Sequence, residues 1–274
     1  MNIQKLTKIL IDAGIEENEA KCEIKLLLEH FCNFTEKDNL LGRNLSNEEL
    51  ALLADKVEER AKTRTPIQYI IGSAWFMGNK FKVTPDVLIP RDETEILVRQ
   101  AIKIIEDNNF EDVLDIGTGS GCIACTIAKN TSATVLGVDI STDALRIALD
   151  NVTNLEINNR AIFRKSDIFS GIRDGEVFEL IVSNPPYIPQ NTELSIEVQK
   201  EPALALFAEE NGLAIYRKII EEAPKYLTED GYLMFELGIN EADEVKTMMN
   251  KDFAEIKIEK DLAGIERVIW GKLR

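Results

Sequence analysis

The sequence predicts an α/β protein in which an open, mostly parallel sheet follows a small helical region. Three observations predict this class: apolar residues at helical spacing in the first part of the chain, alternating helical and extended segments from residue 94 onward, and a glycine-rich turn between a strand and a helix. The chain has 274 residues, of which 45% are hydrophobic and 29% are charged. This composition is typical of a folded protein and excludes a disordered or collagen-like chain.

Residues 1–65 are predicted to form an N-terminal helical domain. Leu6, Ile9 and Leu10 recur at helical spacing, and Ser46 with Glu49 has the spacing of a capping box before a further apolar stretch. The domain carries no motif with obvious chemistry, so partner binding is its expected role. The single histidine, His30, lies in a helical stretch here, and one histidine excludes a multi-histidine zinc site and a Ser-His-Asp triad elsewhere in the chain.

Residues 66–90 are predicted to form a β-hairpin linker, because apolar and β-branched residues alternate there with Gly72 and Gly78. Residues 91–274 are predicted to form the α/β domain. Its helices are expected at residues 95–107, 122–130, 142–154, 213–227 and 241–250. Its seven strands are expected at residues 113–116, 134–139, 161–165, 180–183, 232–236, 255–259 and 267–270. Alternation of this kind is typical of an open, mostly parallel sheet.

The net charge of −16 argues against a protein that binds a nucleic acid duplex. A net charge of this sign still allows a local basic groove. No run of about 18 apolar residues exists, and the first residues lack the apolar core of a signal peptide, so a cytoplasmic protein is expected. Cys122 and Cys125 have the spacing of a redox or metal motif. Their apolar helical neighbours favour a buried structural pair instead.

A glycine loop follows the first strand of the α/β domain and opens the next helix. It consists of Asp115, Ile116, Gly117, Thr118, Gly119, Ser120 and Gly121. A dinucleotide fingerprint would place its third glycine at position 122, which is Cys122. Asp139 ends the next strand, where a carboxylate can accept both hydroxyls of a ribose. Loop and acid together predict a nucleoside-containing cofactor, and the alternative is a tight turn with a helix-capping acid.

A second motif, Asn184-Pro185-Pro186-Tyr187, follows the strand at residues 180–183. The two prolines fix φ and remove two backbone donors, so the carbonyls of this turn are free acceptors. The Asn184 side chain adds an acceptor and Tyr187 adds a flat wall, which suits a planar NH2 group. Ligands bind at the strand ends of such sheets, so both motifs are expected to face one crevice. The alternative is a proline-rich loop in which Tyr187 only packs.

In residues 115–121, Asp139 and residues 184–187, the chain resembles the class I S-adenosylmethionine-dependent methyltransferases that methylate exocyclic or amide nitrogen. More specifically, it is similar to the peptide chain release factor glutamine methyltransferases, in the stretches 64–72, 87–95, 201–207 and 261–268. The second motif is shared with adenine methyltransferases, whereas the stretches around Pro66 and Pro90 are more particular to the glutamine enzymes. Asp92, Ala208-Glu209 and Glu241 depart from the family pattern, away from both motifs.

The resemblance implies a Rossmann-like methyltransferase sheet with S-adenosyl-L-methionine as cofactor. Asn184 and the carbonyl of Pro185 would each accept one amide N–H, while Tyr187 would stack on the amide or exclude water. The substrate-binding residues implied are Asn184, Pro185, Pro186 and Tyr187. The cofactor-binding residues implied are Gly117, Thr118, Gly119, Ser120, Gly121, Asp139, Asp167, Ile168 and Asn184. Residues 91–95 are expected to line the crevice, without assigned contacts.

The implied substrate is the glutamine of the Gly-Gly-Gln motif in bacterial class 1 release factors, with no metal, membrane or direct nucleic acid contact. Two alternatives stay open. An adenine methyltransferase acting on DNA or RNA would use the same turn, but it would need base flipping and a positive footprint, against which the acidic sequence argues. A non-catalytic cofactor-binding scaffold is the other alternative, and the intact Asn184 and Tyr187 argue against it.

Overall fold

The computed structural model describes residues 2–274, and the chain divides into two compact units. The first, here called the helical unit, comprises the described part of Met1–Ser73 together with Leu194–Lys200. The second, here called the sheet unit, comprises Ala74–Glu193 and Glu201–Arg274. No helix among residues 2–274 is long and apolar enough to cross a membrane.

Five helices form most of the helical unit: α1 (Ile3–Asp12), α2 (Glu17–Cys32), α3 (Glu36–Leu40), α4 (Asn47–Thr63) and α5 (Ile67–Ile71). The capping box predicted at the start of α4 is confirmed, because the Ser46 hydroxyl accepts from the Glu49 backbone and the Glu49 carboxylate accepts from the Ser46 backbone. Leu6 and Leu10 of α1 pack with Leu53 and Val57 of α4 in one buried apolar cluster.

The hairpin is shorter than the sequence predicts. Its strands are β1 (Ser73–Phe76) and β2 (Asn79–Lys82), and the segment before them is helix α5 rather than extended chain. Gly72 ends α5 with φ of 76°, and its backbone N–H bonds the Gln68 carbonyl. A glycine in the left-handed region is a common helix end, and it outweighed the β-branched residues that favoured a strand.

The sheet unit continues with alternating elements that end in a hairpin. They are α6 (Thr94–Asn108), β3 (Asp112–Ile116), α7 (Cys122–Asn130), β4 (Thr134–Asp139), α8 (Thr142–Asn154), β5 (Ala161–Lys165), β6 (Phe178–Ser183), β7 (Ile188–Pro189), α9 (Ala203–Leu206), β8 (Phe207–Ala208), α10 (Ala214–Glu222), β9 (Leu227–Glu236), α11 (Ala242–Met249), β10 (Phe253–Lys260) and β11 (Glu266–Leu273).

Seven strands form the main sheet in the order β10-β11-β9-β6-β3-β4-β5. β11 runs antiparallel to both β9 and β10, and every other neighbouring pair is parallel. The predicted seven-stranded, mostly parallel sheet is therefore confirmed. β7 and β8 form a separate two-stranded parallel sheet.

The helix predicted at residues 213–227 is wrong at its C-terminal end. α10 stops at Glu222, a single 3-10 turn containing Pro224 follows, and β9 begins at Leu227. Proline has no N–H to donate and its ring disfavours a continued helix, so the apolar residues beyond it belong to a strand. β9 is accordingly longer than the predicted strand at residues 232–236.

Apolar side chains alternate across the sheet and form one buried cluster on each face. Val113 packs with α6 and α7 on one face, while Leu114 packs with α10 and α11 on the other. Cys122 and Cys125 are buried on the α7 side, and burial raises the pKa of the Cys122 thiol to about 12. The interpretation of these cysteines as a buried structural pair is confirmed.

Candidate active site

The glycine loop joins β3 to α7 with three glycines in the left-handed region. The φ angles are 72° at Gly117, 54° at Gly119 and 78° at Gly121, and such angles favour glycine. A Cβ atom on Gly117 would meet no atom within 4 Å, because that position faces open space. A Cβ atom on Gly121 would lie 3.0 Å from the Phe163 ring. The loop therefore opens at its first glycine and packs closely at its last.

Two side chains of this loop turn toward the protein. The Thr118 hydroxyl donates to Oδ2 of Asp115 over 2.6 Å, and both residues are buried. Ser120 is buried as well, and its carbonyl accepts from the Asn151 amide at 2.8 Å. Burial raises the pKa of Asp115 to about 7, although hydrogen bonds from Thr118 and the Ala124 backbone oppose the shift. Asp115 thus fixes the loop through its hydrogen bond with Thr118.

Asp139, at the end of β4, holds the loop from the neighbouring strand. Its Oδ2 accepts the Gly119 N–H at 2.9 Å and its Oδ1 accepts the Ser141 N–H at 2.8 Å. Burial raises the pKa of this carboxyl, and the backbone donors oppose the shift. The cap of α8 is Ser141, whose hydroxyl accepts from the Ala144 backbone. Asp139 is therefore more than a helix-capping acid, because it also bonds the glycine loop.

The Asn-Pro-Pro-Tyr turn leaves the C-terminal end of β6, beside the strand that carries the glycine loop. The Asn184 side chain donates from Nδ2 to the Thr94 hydroxyl oxygen at 3.3 Å. This bond leaves the side-chain carbonyl Oδ1 as the acceptor that Asn184 can offer to a ligand. Pro185 and Pro186 follow without backbone donors.

One cavity of about 200 Å³ brings the two motifs together. Eight residues singled out from the sequence line it: Gly117, Gly119, Asp139, Asp167, Ile168, Asn184, Pro185 and Pro186. Four others do not: Thr118, Ser120, Gly121 and Tyr187. The rest of the lining consists of Asp86, Val87, Leu88, Ile116, Ile140, Ser141, Ala144, Ser166, Ser183, Pro202, Leu204, Ala205 and Ile215. The prediction that both motifs face one crevice is confirmed.

Tyr187 lies behind the turn. Its hydroxyl points to Oε1 of Glu236 at a distance of 3.4 Å, and burial raises the pKa of this phenol. Glu236 ends β9 and is buried. Tyr187 is therefore connected to the end of the neighbouring strand.

The sequence did not reveal the carboxylate that holds residues 86–91 in place. Glu201 is buried, accepts the Ile89 N–H at 2.9 Å and forms an ion pair with Arg91. It precedes Pro202 of the cavity wall, so one carboxylate joins two segments of that wall. Arg91 and Glu201 both lie in stretches that carry the family resemblance, but their pairing joins residues 110 positions apart. Thr94 and Glu236 were missed for the same reason.

The residues present fit a nucleoside cofactor. Gly117 and Gly119 form an open cradle, a carboxylate stands at the end of β4, and Ile168, Leu204 and Ala205 supply apolar surface. Ribose hydroxyls donate to a carboxylate, and an unsubstituted glycine backbone allows a ligand to approach closely. This donor set is consistent with S-adenosylmethionine.

Comparison with known proteins agrees with this geometry. A model described as a methyltransferase domain matches residues 107–272, and a model described as the PrmC N-terminal domain matches residues 3–72. The fold is similar to a 16S ribosomal RNA methyltransferase of Thermus thermophilus in complex with AdoMet and guanosine, with a TM-score of 0.55, 16% identity, and coverage of 74% of this chain and 50% of that chain. Fold and site together define an S-adenosylmethionine-dependent methyltransferase.

Curated relatives identify the family. A release factor glutamine methyltransferase of Geobacter sulfurreducens is 42% identical over 84% of this chain and 80% of its own length. One of Caulobacter vibrioides is 35% identical over 96% of this chain and 92% of its own. The chain belongs to the release factor glutamine methyltransferase family.

Proposed function

We propose that this protein methylates the side-chain amide nitrogen of the glutamine in the Gly-Gly-Gln motif of bacterial class 1 release factors. The observation that carries the proposal is the orientation of Asn184, whose Nδ2 is engaged by Thr94 while the residue lines the cavity. Its Oδ1 then stands beside Pro185 as an acceptor for an NH2 group. Membership of the family supports glutamine as the group that carries this NH2.

The chemistry required of the protein is mainly orientation. A glutamine amide nitrogen is a poor nucleophile because its lone pair is delocalised into the carbonyl. Asn184 Oδ1 and the Pro185 carbonyl accept its two N–H groups and direct the lone pair at the reacting methyl. When bound, S-adenosylmethionine supplies that methyl as an electrophilic group on a sulfonium. Holding two reactants in line can contribute about 7–11 kcal/mol, and no strongly basic residue is needed because the nitrogen becomes acidic once it has reacted.

The cofactor end of the cavity is assigned by the same reasoning. The backbone at Gly117 and Gly119 lies along the methionine part of the cofactor. Asp139 binds the ribose, and Asp167 with Ile168 contacts the adenine. Thr118, Ser120 and Gly121 contribute by shaping the loop, since they do not line the cavity. Tyr187 supports the turn from behind.

The helical unit carries the remaining part of the proposal. None of its described residues lines the cavity, and we assign it the role of binding the release factor. Because the proposed partner acts in translation, we expect the protein in the cytoplasm. The alternative of methylation of adenine in nucleic acid is not favoured, because the net charge of −16 offers no general attraction for phosphates.

The test is single-turnover methylation of a release factor by the protein and its Asn184→Ala variant. We expect the variant to lose about 10²-fold or more in rate, because its nucleophile is no longer aimed. Cofactor affinity, measured by calorimetry, should change far less. Asn191→Ala is the matched control, since Asn191 is exposed and lies outside the cavity lining.

Two further arms separate the substrate from the reaction class. A release factor whose Gly-Gly-Gln glutamine is replaced by alanine should take up no methyl group, and equal labelling of it would overturn the substrate assignment. Preferential labelling of duplex or single-stranded nucleic acid would favour the adenine alternative. A near-normal rate in Asn184→Ala would contradict the acceptor role.

A further inference from the structure

The cavity-lining Asn184 is connected to a buried carboxyl group that the proposed reaction does not use. Glu236 is only 2% exposed, and among residues 2–274 its Oε2 has no hydrogen-bond partner of good geometry. Its Oε1 lies 3.4 Å from the Tyr187 hydroxyl. A buried carboxyl oxygen without a hydrogen-bond partner destabilises the folded state, so its presence next to the Asn-Pro-Pro-Tyr turn suggests a functional role.

Thr94 interacts with both this carboxyl and Asn184. Thr94 is 2% exposed, and its hydroxyl oxygen accepts the Nδ2–H of Asn184 at 3.3 Å. Hydrogen bonding by Thr94 also lowers the pKa of Glu236, opposing the larger effect of burial. A hydroxyl has one hydrogen, so when its oxygen accepts from Asn184 that hydrogen is free to be donated to the carboxylate.

We propose that Glu236 is a positioning residue: its carboxylate orders the Thr94 hydroxyl, and through it the Asn184 amide, so that Asn184 presents an acceptor to the substrate, and it holds the Tyr187 hydroxyl on the other side. The inference rests on the proposed function, because it concerns the same turn. It adds two residues, Thr94 and Glu236, that never touch the substrate.

The direction of these hydrogen bonds decides whether the site can bind an NH2 group. With Glu236 ionised, Thr94 donates to Glu236 and accepts from Asn184, which leaves Oδ1 facing the substrate. With Glu236 protonated, the carboxylic acid can donate to Thr94, and Thr94 then donates to Asn184. In that arrangement the Asn184 amide turns its Nδ2 donors toward the N–H donors of the substrate, so the productive pair of acceptors is lost.

The surroundings of Glu236 place this change near neutral pH. Burial, with a smaller contribution from the charge of Glu93, raises its pKa to about 7 against the opposing effects of Thr94, Tyr187 and Arg267. The other titratable groups that sense its charge are Cys122 and Tyr216. Because the ionised form is the productive one, the rate of methyl transfer should rise as pH increases through about 7 and level off above it.

The experiment is single-turnover methylation of a release factor from pH 5.5 to 8.5, together with the cofactor affinity of each variant. Thr94→Val keeps the shape of the side chain but removes the hydroxyl, and Thr94→Ser restores a hydroxyl. Glu236→Gln keeps the volume but removes the ionisation. Glu241→Gln is the matched control: Glu241 is a second carboxyl with a pKa raised to about 7 by burial, and it bonds the Gly238 backbone rather than Thr94.

We expect Thr94→Val and Glu236→Gln each to slow methyl transfer by about tenfold or more, since the amide is no longer held in the productive orientation. Both should lose the dependence on pH near 7, with unchanged cofactor affinity. Thr94→Ser should recover most of the rate, and Glu241→Gln should keep both the rate and the pH dependence.

A wild-type rate that is flat across this range, or a Thr94→Val variant as fast as wild type, would overturn the inference even if Glu236→Gln failed to fold. Failure of the wild-type protein to label the release factor at any pH would instead overturn the proposed function. The two failures are thus distinguishable.

Discussion

The two units of the molecule treat most of their buried acids differently, and the exception is Glu201 of the sheet unit, which pairs with Arg91. In the helical unit, the buried Arg60 donates to the buried Glu23 over 2.8 Å and to the half-buried Glu197 over 3.2 Å, so both acids have a cation. In the sheet unit, Asp115, Glu236 and Glu241 are held by hydroxyls and backbone N–H groups, and within residues 2–274 none of the three forms a salt bridge. Ion pairs of this kind stabilise the fold, whereas the acids without a cation have pKa values near neutral pH.

The pKa shifts follow this difference only in part, because burial raises the pKa of Glu23 in spite of its bond to Arg60. For Glu197, burial is outweighed by hydrogen bonds from Arg64 and Arg60, which lower its pKa. For Asp115 and Glu236, burial prevails and raises each pKa to about 7. Buried acids with raised pKa values cluster at functional sites, and Asp115 and Glu236 lie at the glycine loop and next to the Asn-Pro-Pro-Tyr turn. We therefore expect the ion-paired network of the helical unit to stabilise the fold, and Asp115 and Glu236 to serve the proposed site.

The largest expected effect comes from breaking the paired network. Arg60→Met would leave the buried Glu23 without its cation, whereas Glu197 would keep Arg64, and removing one partner of a buried ion pair costs about 3–5 kcal/mol of stability. Urea unfolding should show this loss. Lys25→Met is the matched control, because Lys25 pairs with Glu36 at the exposed surface, where a pair contributes about 0–1 kcal/mol. Equal losses in both variants would contradict the structural role of the buried network.

The next effect concerns the cofactor. Asp139→Ala removes the carboxylate from the cavity wall and should weaken binding of S-adenosylmethionine by about 1.5–3 kcal/mol, the contribution of a hydrogen bond to a charged group. Calorimetry measures it. Asp143→Ala is the control, since Asp143 lies two residues into α8 and its exposed carboxylate pairs with Arg146. An affinity equal to wild type would show that Asp139 only fixes Gly119.

The sequence predicted those parts of the sheet unit that depend on local signals. α7, β4, α8 and β5 were predicted at their observed bounds, because glycines, capping residues and apolar runs mark each end. The two motifs were also placed correctly, since loops that follow parallel strands meet at one edge of the sheet. The prediction failed where the propensity of neighbouring residues was followed against a local boundary signal, as at Gly72 and Pro224.

The parts that could not be predicted depend on long-range pairing. Thr94 and Asn184 lie 90 positions apart, and Tyr187 and Glu236 lie 49 apart. Nothing in the sequence around Thr94 or Glu236 marks either residue as a polar contact of the Asn-Pro-Pro-Tyr turn. Likewise, the sequence could not show that Leu194–Lys200 belongs to the helical unit, where Glu197 meets Arg60. Such long-range contacts become visible only in the folded structure.

The smallest expected effect tests the unpaired acids through stability. Burial raises the pKa of Glu241 from 4.5 to about 7, so the folded state favours the protonated carboxyl. The folded protein therefore holds more protons than the unfolded chain between these values, and stability falls as pH rises through them. Glu241→Gln removes this effect, and it should raise the unfolding midpoint at pH 8 but hardly at pH 5.

The gain is expected to be about 1 kcal/mol, or about 2–4 °C, because Glu241 is not fully buried and solvent screens its charge. Calorimetric melting at both pH values measures it, with the exposed Glu221→Gln on α10 as the control. A variant less stable at pH 8 than wild type would mean that the carboxylate bond to the Gly238 N–H outweighs the cost of burying the charge. Glu241 would then resemble the acids of the helical unit, and unpaired burial would no longer distinguish the two units.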